Sequence, residues 1–410
     1  MADDDPVAQM TWLRSPDGQA AIAAAQSAWD LCDGDALRAG SRLRSAMALS
    51  SERAAAALEQ VSLRDIARTR YGITDPRLLL TRDGLEAATR PVVAAQRAEV
   101  LRANGATTVL DLTAGLGFDT RALLAAGLEV FAIERDPVIA GFLQFNCPRA
   151  TVIRQDVVSD GLDELLSRLG PLDVVFADPA RRDPAAARDA ATARARPERD
   201  PERWSPPWSW IGSIPHPRVA AKVSPAMAVP AGWQAQWVSV DRTVVECALY
   251  SWPALASEHE AVLVKGTSVV GRVSGRPSPA PQATSLGPWL IEVDPAILRA
   301  GLMGRIAADM DAAALGPHTS WLTSEIPSEQ PGLRSHRVIT VLPRQDRMAR
   351  RDLAGRGITR ATAKCRDVAA SPGSILRALG LSEGPGAVVV ATTLAGQPLR
   401  VLVETAHPAS

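Results

Sequence analysis

Four short stretches carry the side chains on which chemistry could rest. The first is Asp111-Leu112-Thr113-Ala114-Gly115-Leu116-Gly117-Phe118-Asp119-Thr120, where an apolar run ends in a carboxylate and passes through two glycines. Only glycine combines easy positive φ with close backbone approach, so such a turn lets a nucleotide-like ligand lie against main chain. The second is Glu134, closing the run Val130-Phe131-Ala132-Ile133. An acidic residue about 20 positions after the first glycine can bind ribose hydroxyls, and Glu134 stands at that distance from Gly115. The third is Asp156, in Arg154-Gln155-Asp156-Val157 after another apolar run. A side chain there can meet an adenine amino group, although an exposed loop aspartate is the ordinary case. The fourth is Asp173-Val174-Val175-Phe176-Ala177-Asp178-Pro179-Ala180-Arg181-Arg182. Proline fixes φ and removes a donor, which holds the preceding carbonyl and carboxylate in one geometry. Such acceptors suit an exocyclic amine with its lone pair aimed at a methyl donor. A dinucleotide would require G-x-G-x-x-G, and Asp119-Thr120 stand where the later glycine would be, so no pyrophosphate has to fit.

These residues need a strand–turn–helix frame, and the pattern supplies one. Strands are expected at 107–112, 129–134, 150–154, 172–177, 219–224, 243–251 and 260–265, with helices between the first five. That alternation predicts a mostly parallel sheet, with its ligand beyond the carboxyl ends of the strands. Residues 1–85 read as a helical region without chemistry, with Ser50 or Ser51 as a cap and Thr89-Arg90-Pro91 starting a helix just beyond it. The 86–268 segment is expected as the catalytic domain, 269–334 as a connecting segment containing a helix near 294–312, and 335–405 as a small α/β module. Within that module, strands are expected at 337–342, 386–393 and 398–404 and a helix near 372–380. An insert at 181–217 is rich in arginine and carries Trp204, Trp208 and Trp210.

Composition excludes several classes. The 410 residues include 45 basic and 45 acidic side chains, so any nucleic-acid contact must come from a local patch. Lys222, Lys265 and Lys364 are the only lysines. The cysteines Cys32, Cys147, Cys247 and Cys365 form no C-x-x-C pair, and the histidines, including His216 and His318, form no metal spacing. The acidic start Met1-Ala2-Asp3-Asp4-Asp5 lacks a signal-peptide charge pattern, and no apolar run approaches the ~20 residues that span a bilayer. A cytoplasmic protein without metal or membrane is expected.

Taken together, Asp111-Leu112-Thr113-Ala114-Gly115-Leu116-Gly117, Glu134, Asp156 and Asp178-Pro179 resemble the class I S-adenosylmethionine-dependent methyltransferases. The resemblance implies a Rossmann-like sheet of seven strands, the last inserted antiparallel; the candidates at 243–251 and 260–265 suit that ending. It implies S-adenosylmethionine as cofactor, held by Asp111, Thr113, Gly115, Gly117, Phe118, Glu134, Arg135, Asp156 and Val157. Asp178, Pro179 and Arg181 would be catalytic. The sequence is similar, more narrowly, to bacterial methyltransferases with a carboxy-terminal THUMP-like domain, akin to the cap-hypermethylase and ribosomal guanine-methylase groups. Glu86-Ala87-Ala88-Thr89-Arg90-Pro91-Val92-Val93-Ala94 and residues 335–405 carry that likeness.

One departure matters. Methylases of exocyclic amines usually follow Asp or Asn with two prolines and an aromatic that stacks on the base, and here Ala180 and Arg181 replace the last two. Trp204, Trp208 and Trp210 are the candidates to stack in its place, with packing of the insert onto the sheet as the ordinary alternative for all three. Arg182, Arg350 and Arg351 are expected on substrate phosphates, the last two in a basic segment running from Arg337 to Arg366. RNA methylation is the primary expectation. A methyltransferase of a small molecule or protein, and a non-catalytic RNA-binding protein that kept the fold, are the alternatives.

Overall fold

The computed structural model describes residues 5–181, 198–317 and 319–405. They fall into two compact units, Met1–Ser224 with Ala248–Ala254, and Pro225–Cys247 with Leu255–Ser410.

The first unit opens with six helices: α1 (Pro6–Arg14), α2 (Pro16–Leu31), α3 (Ala36–Met47), α4 (Ser51–Tyr71), α5 (Arg82–Glu86) and α6 (Pro91–Ala103). Their starts follow capping chemistry. Asp5, Ser15, Asp35, Ser50 and Thr81 each accept a first-turn N–H, and Pro91 occupies the first turn of α6. The apolar faces of α1 to α4 close a core that includes Leu13, Ile22, Leu43 and Leu63, and this core also takes in Leu116 and Phe142. The region expected to be merely helical therefore packs against the glycine turn itself. Between α4 and α5 the chain runs, outside helix and strand, through the buried Leu78-Leu79-Leu80. Its backbone groups are met by two buried amides. Gln60 exchanges both bonds with Leu80, at 2.9 and 2.8 Å, and Asn146 does the same with Leu79, at 2.9 and 3.0 Å.

The sheet then follows: β1 (Thr108–Asp111), α7 (Phe118–Ala125), β2 (Glu129–Glu134), α8 (Pro137–Asn146), β3 (Thr151–Arg154), α9 (Leu162–Leu169), β4 (Val174–Ala177), a 3₁₀ turn at Pro201–Arg203, α10 (Trp208–Gly212) and β5 (Val219–Val223). The strand order is β3-β2-β1-β4-β5, all parallel in their described pairings. Residues of β4 and β5 are buried throughout, as strands covered on both faces must be. Among the described residues, the β4–β5 connection holds only the 3₁₀ turn and the short α10 rather than a full crossover helix.

Two corrections concern the end of this sheet. The strand β6 (Gln234–Val240) was not expected, because Gln236 and Ser239 interrupt its apolar run. Both are buried, and Gln236 donates to Glu260 at 2.6 Å, so a paired polar group sits where apolar side chains were sought. β6 turns into β7 (Thr243–Tyr250) through Asp241 and Arg242, both at positive φ (49° and 64°), the hairpin geometry that matches strand twist. β7 takes the place between β5 and β6, and is thus the inserted antiparallel strand. The second candidate is β8 (His259–Lys265), which pairs parallel to β6 and antiparallel to β9 (Ser268–Gly275). The seven-strand order is present and extended by two strands to nine.

The segment 269–334, expected as a connection, is folded: beyond β9 it holds β10 (Trp289–Val293), α11 (Pro295–Arg299), α12 (Met303–Met310), β11 (Ala313–Ala314) and β12 (Trp321–Ser324). The helix expected over 294–312 is two helices, parted at Gly301, whose φ is 70°. There follow β13 (Leu333–Val341), α13 (Asp346–Gly355), β14 (Arg360–Cys365), α14 (Pro372–Leu379), β15 (Ser382–Glu383), β16 (Ala387–Leu394) and β17 (Gln397–Thr405). The second sheet runs β11-β12-β10-β13-β17-β16-β14-β15. One core joins Leu353, Leu376 and Leu379 of the helices to Val389 and Leu402, and a second gathers Leu290, Trp321, Val390 and Val401. No helix among the described residues is long and apolar enough to cross a membrane.

Candidate active site

The carboxyl ends of β1, β2, β4 and β5 bring the expected residues together in the first unit. Asp111, last in β1, is fully buried. It accepts the Thr120 hydroxyl at 2.7 Å and the Thr113 N–H at 3.3 Å. Burial pushes its carboxyl up to about 7. The charges of Asp119 and Asp178 add to the rise, and the Thr120 and Thr113 hydrogen bonds oppose it.

The turn that follows has Gly115 at φ 55° and Gly117 at φ 88°. Its two glycines serve different needs. A Cβ on Gly117 would lie 2.5 Å from Cys147 Sγ, so that glycine allows the turn to seat on α8. A Cβ on Gly115 would meet nothing within 4 Å, so the outer surface of the turn is open. Gly115 N–H donates to Glu134 Oε2 at 3.1 Å, and Glu134 Oε1 accepts from Asp136 N–H at 2.8 Å. The proposed ribose-binding carboxylate thus also braces the turn, and burial raises its pKa. Open backbone, a fixed half-buried carboxylate and a second, buried carboxylate form a set of acceptors that suits the ribose hydroxyls and the cationic amino-acid part of S-adenosylmethionine. Phe118 is half-buried and packs against the helical core.

Asp156 lies in the loop after β3. It accepts from Val158 N–H at 3.0 Å and from Arg135 at 3.3 Å. Burial would raise its pKa, but these bonds outweigh it and leave the group lowered. Val157 is buried, and Arg135 is mostly exposed.

Asp178 is tethered on two sides. Its N–H donates to Thr113 Oγ1 at 2.7 Å, which ties the end of β4 to the turn after β1. Its Oδ2 accepts from Lys222 Nζ, also at 2.7 Å. Pro179 is buried, and Ala180 makes a two-bond bridge with Ser205 at 2.8 and 3.0 Å. Arg181 is half-buried, and its carbonyl accepts from Glu198 N–H. Arg182 lies outside the described residues.

Lys222 was missed as a site residue. It sits in β5, within the otherwise apolar Val219-Ala220-Ala221-Lys222-Val223, and is 6 % exposed. A chain with three lysines that places one inside a buried strand offered a signal in that rarity. Lys222 also donates to Thr89 Oγ1 at 2.7 Å, and the Thr89 hydroxyl donates to Asp119 Oδ2 at 2.7 Å. Asp119 Oδ1 pairs with the buried Arg97, whose guanidinium lies 4.8 Å from the Phe176 ring centroid. Burial drives Asp119 upward, but Arg97, Lys222 and Thr89 outweigh it and hold the group below its usual range. The structure thus assembles a chain of charged groups joined through one hydroxyl, Asp178–Lys222–Thr89–Asp119–Arg97, buried except for the part-exposed Asp178, behind the site.

The tryptophans require a correction. Trp204 is 2 % exposed, and its indole N–H donates to Glu198 O at 3.2 Å. Its ring is enclosed and offers no face to a base; the Ala180–Ser205 bridge draws it in. Trp208, on α10, stays half-exposed. Arg350 and Arg351 lie exposed on α13 in the second unit, with Arg350 Nε donating to Ala378 O at 2.7 Å. Much of the basic segment is engaged internally: Arg337 pairs with Glu404, Arg356 with Asp352, and Lys364 with Glu292. Among the described residues, no group of acidic, histidine and cysteine side chains is arranged to hold a metal ion.

Comparison with known proteins points to the family that the sequence resembles. Residues 84–179 match the family model described as "Putative SAM-dependent methyltransferase", and residues 333–405 match "THUMP domain-like". Residues 4–67 match a domain model of unknown function. The chain is similar to ribosomal RNA small subunit methyltransferase J of Coxiella burnetii, with 37 % identity over 90 residues, covering 20 % of this chain and 35 % of the relative. The protein of the same name from Aeromonas salmonicida is 36 % identical over 92 residues, covering 19 % of this chain and 36 % of the relative. The chain thus spans about a third of the length of these curated relatives. A solved structure titled "Crystal structure of putative methyltransferase from Porphyromonas gingivalis W83" superposes with a TM-score of 0.67 at 22 % identity, over 88 % of this chain and 92 % of that one. At that identity the likeness concerns the fold. The fold, the turn at Asp111–Gly117 and the matching models agree that the chain carries a segment of the S-adenosylmethionine-dependent methyltransferase family at residues 84–179 and a THUMP-like domain at residues 333–405.

Proposed function

We propose that the protein is an S-adenosylmethionine-dependent methyltransferase that acts on an exocyclic amine of a base in RNA. The observation that carries this reading is Asp178, held between Thr113 and Lys222 at the end of β4 beside the glycine turn. Lys222 engages Oδ2. Oδ1 and the neighbouring carbonyl can then accept the two N–H groups of an amine and leave its nitrogen lone pair as nucleophile. Bound S-adenosylmethionine supplies the methyl group on a cationic sulfonium. The protein's part is positioning and electrostatics: Gly115 and Gly117 shape the turn, Glu134 and Asp156 take hydroxyl and amine donors of the cofactor, and Asp178 orients the acceptor. Trp208 and Trp210, both partly exposed, are the stacking candidates that remain, and an aromatic face contributes ~1–3 kcal/mol per base.

RNA as substrate draws support from the THUMP-like match and from the ribosomal RNA methyltransferases that the chain resembles. The cytoplasm is the location such a substrate implies. Nucleoside mass spectrometry of RNA from a deletion strain and its parent tests the reading. One methylated nucleoside should disappear and return with the wild-type gene; identical nucleoside profiles would refute it. Ala180 and Arg181, in place of a proline and an aromatic, favour a small-molecule or protein acceptor as the second reading, which those identical profiles would promote.

A pH dependence follows from Asp111, whose carboxyl is pushed up to about 7. A cationic cofactor favours the ionised form. Affinity for S-adenosylmethionine should therefore rise with pH and fall by up to about tenfold per unit below pH 7. Isothermal titration should show proton release on binding near neutrality. Asp111→Asn should flatten the profile; a flat profile for the wild type would contradict the assignment.

A further inference from the structure

A cleft of about 530 Å³ in the first unit shares no residue with the site above. Its walls come from Gln19 of α2, from the segment between α4 and α5, from α7, and from the end of α8 and the loop beyond it. Three guanidiniums line it, those of Arg77, Arg121 and Arg149, with one carboxylate, Asp75. Asp75 orients two of them: its Oδ1 accepts from Arg77 N and Nε at 3.0 and 3.1 Å, and its Oδ2 accepts from Arg121 at 2.7 Å. The Arg77 hydrogen bond is the first cause that holds the Asp75 carboxyl below the usual range. Arg121 is further fixed by Asn146 O at 3.0 Å, and Arg149 by Leu124 O at 3.0 Å.

Anchoring of this kind uses one or two of the five N–H donors on each guanidinium. Three cations around one carboxylate leave a surplus of two positive charges. Gathering like charges with too little counter-charge costs energy unless an anion joins them. Fixed, planar guanidiniums are also the groups that take phosphate oxygens in pairs.

The cleft is physically continuous with the cofactor turn. Asn146 Nδ2 donates to Leu116 O at 3.0 Å, and Cys147 Sγ lies 3.5 Å from Gly117 O. Burial pushes the Cys147 thiol up to about 12, which leaves it a packing group. Arg121 stands on α7, the helix that begins at the turn.

We infer that this cleft is a binding site for backbone phosphates of the RNA substrate, built jointly by the segment after the amino-terminal helices and by α7 and α8. The inference rests on the RNA reading. It gives that segment a role: it completes a phosphate grip behind the cofactor turn.

The test uses the full chain and fluorescein-labelled fragments of bulk ribosomal RNA. Arg77→Glu combined with Arg149→Glu should weaken binding by about tenfold or more at moderate salt. It should also reduce the slope of log affinity against log salt by about 1.4, the value for two lost single-strand contacts. Affinity for S-adenosylmethionine should stay unchanged. Arg77→Glu alone, at a side chain 83 % exposed, should show the same trend and guards against misfolding. Unchanged RNA affinity and slope in both variants would overturn the inference. So would inorganic phosphate that protects the wild-type cleft without displacing RNA, since that describes a small-anion site. Wild-type protein that binds S-adenosylmethionine but no RNA would overturn the RNA reading as well, which separates the two failures.

Discussion

Replacing Asp178 by alanine is expected to reduce methyl transfer by about 10²–10³-fold while S-adenosylmethionine still binds. The reduction is that expected when one preorganised polar contact to the reacting group is removed. Cofactor affinity should survive because Asp111, Gly115 and Glu134 are tethered independently of the Asp178 side chain. The same substitution takes one carboxylate partner from Lys222, whose side chain is 7 % exposed. Breaking a buried pair from one side costs about 3–5 kcal/mol, and Asp178, at 21 % exposed, places this pair toward the lower end. Lys222→Met should lower kcat by about tenfold or more with little change in cofactor affinity, because it frees the carboxylate to rotate. The double variant should be no less active than Asp178→Ala and should regain part of its stability, since no buried ammonium is left behind. A double-mutant cycle on both kcat and unfolding measures this. Additive losses on both scales would show that Lys222 does not act through Asp178.

Asp119→Ala is expected to cost about 3–5 kcal/mol of stability, because it removes a buried carboxylate that pairs with Arg97, itself 2 % exposed. It also removes the acceptor of the Thr89 hydroxyl. Asp119→Asn keeps a hydrogen-bond acceptor without the charge and should cost less. The sign with pH is set by the lowered carboxyl of Asp119. Its contribution is present above the unfolded value of 3.8 and is lost as the pH falls through the lower folded value. The gap between wild type and Asp119→Ala should therefore narrow in acid. Urea midpoints at neutral and acid pH measure both effects, and a neutral-pH difference below about 1 kcal/mol would mean that the buried charges are not coupled as described.

These two networks differ in how far they could be read from sequence. Asp111, Glu134 and Asp178 each stand at the end of an apolar run, Gly115 and Gly117 follow the first of them, and a parallel sheet brings the ends of its strands to one edge. A one-dimensional pattern was therefore enough to place them together. Thr89 was legible only as part of a helix start, Asp119 only as a residue that was not glycine, and Lys222 only as an oddity inside a strand. Nothing in their spacing says that they meet. β6 escaped for a related reason: Gln236 is buried against Glu260, and a polar residue satisfied by a distant partner looks like a break in a strand.

What the amino-acid sequence determined by itself was the strand–turn–helix frame, the glycine turn with Asp111 and Glu134 beside it, and Asp178-Pro179 at a strand end. All of these follow from local backbone preference and hydrophobic period. Tertiary structure alone decided that Lys222 secures Asp178, that Trp204 is enclosed while Trp208 is not, and that the amino-terminal helices pack on the glycine turn. The physical reason is that charge pairing and burial depend on distance in space. Asp178 and Lys222 lie 44 positions apart in the chain and 2.7 Å apart in the fold.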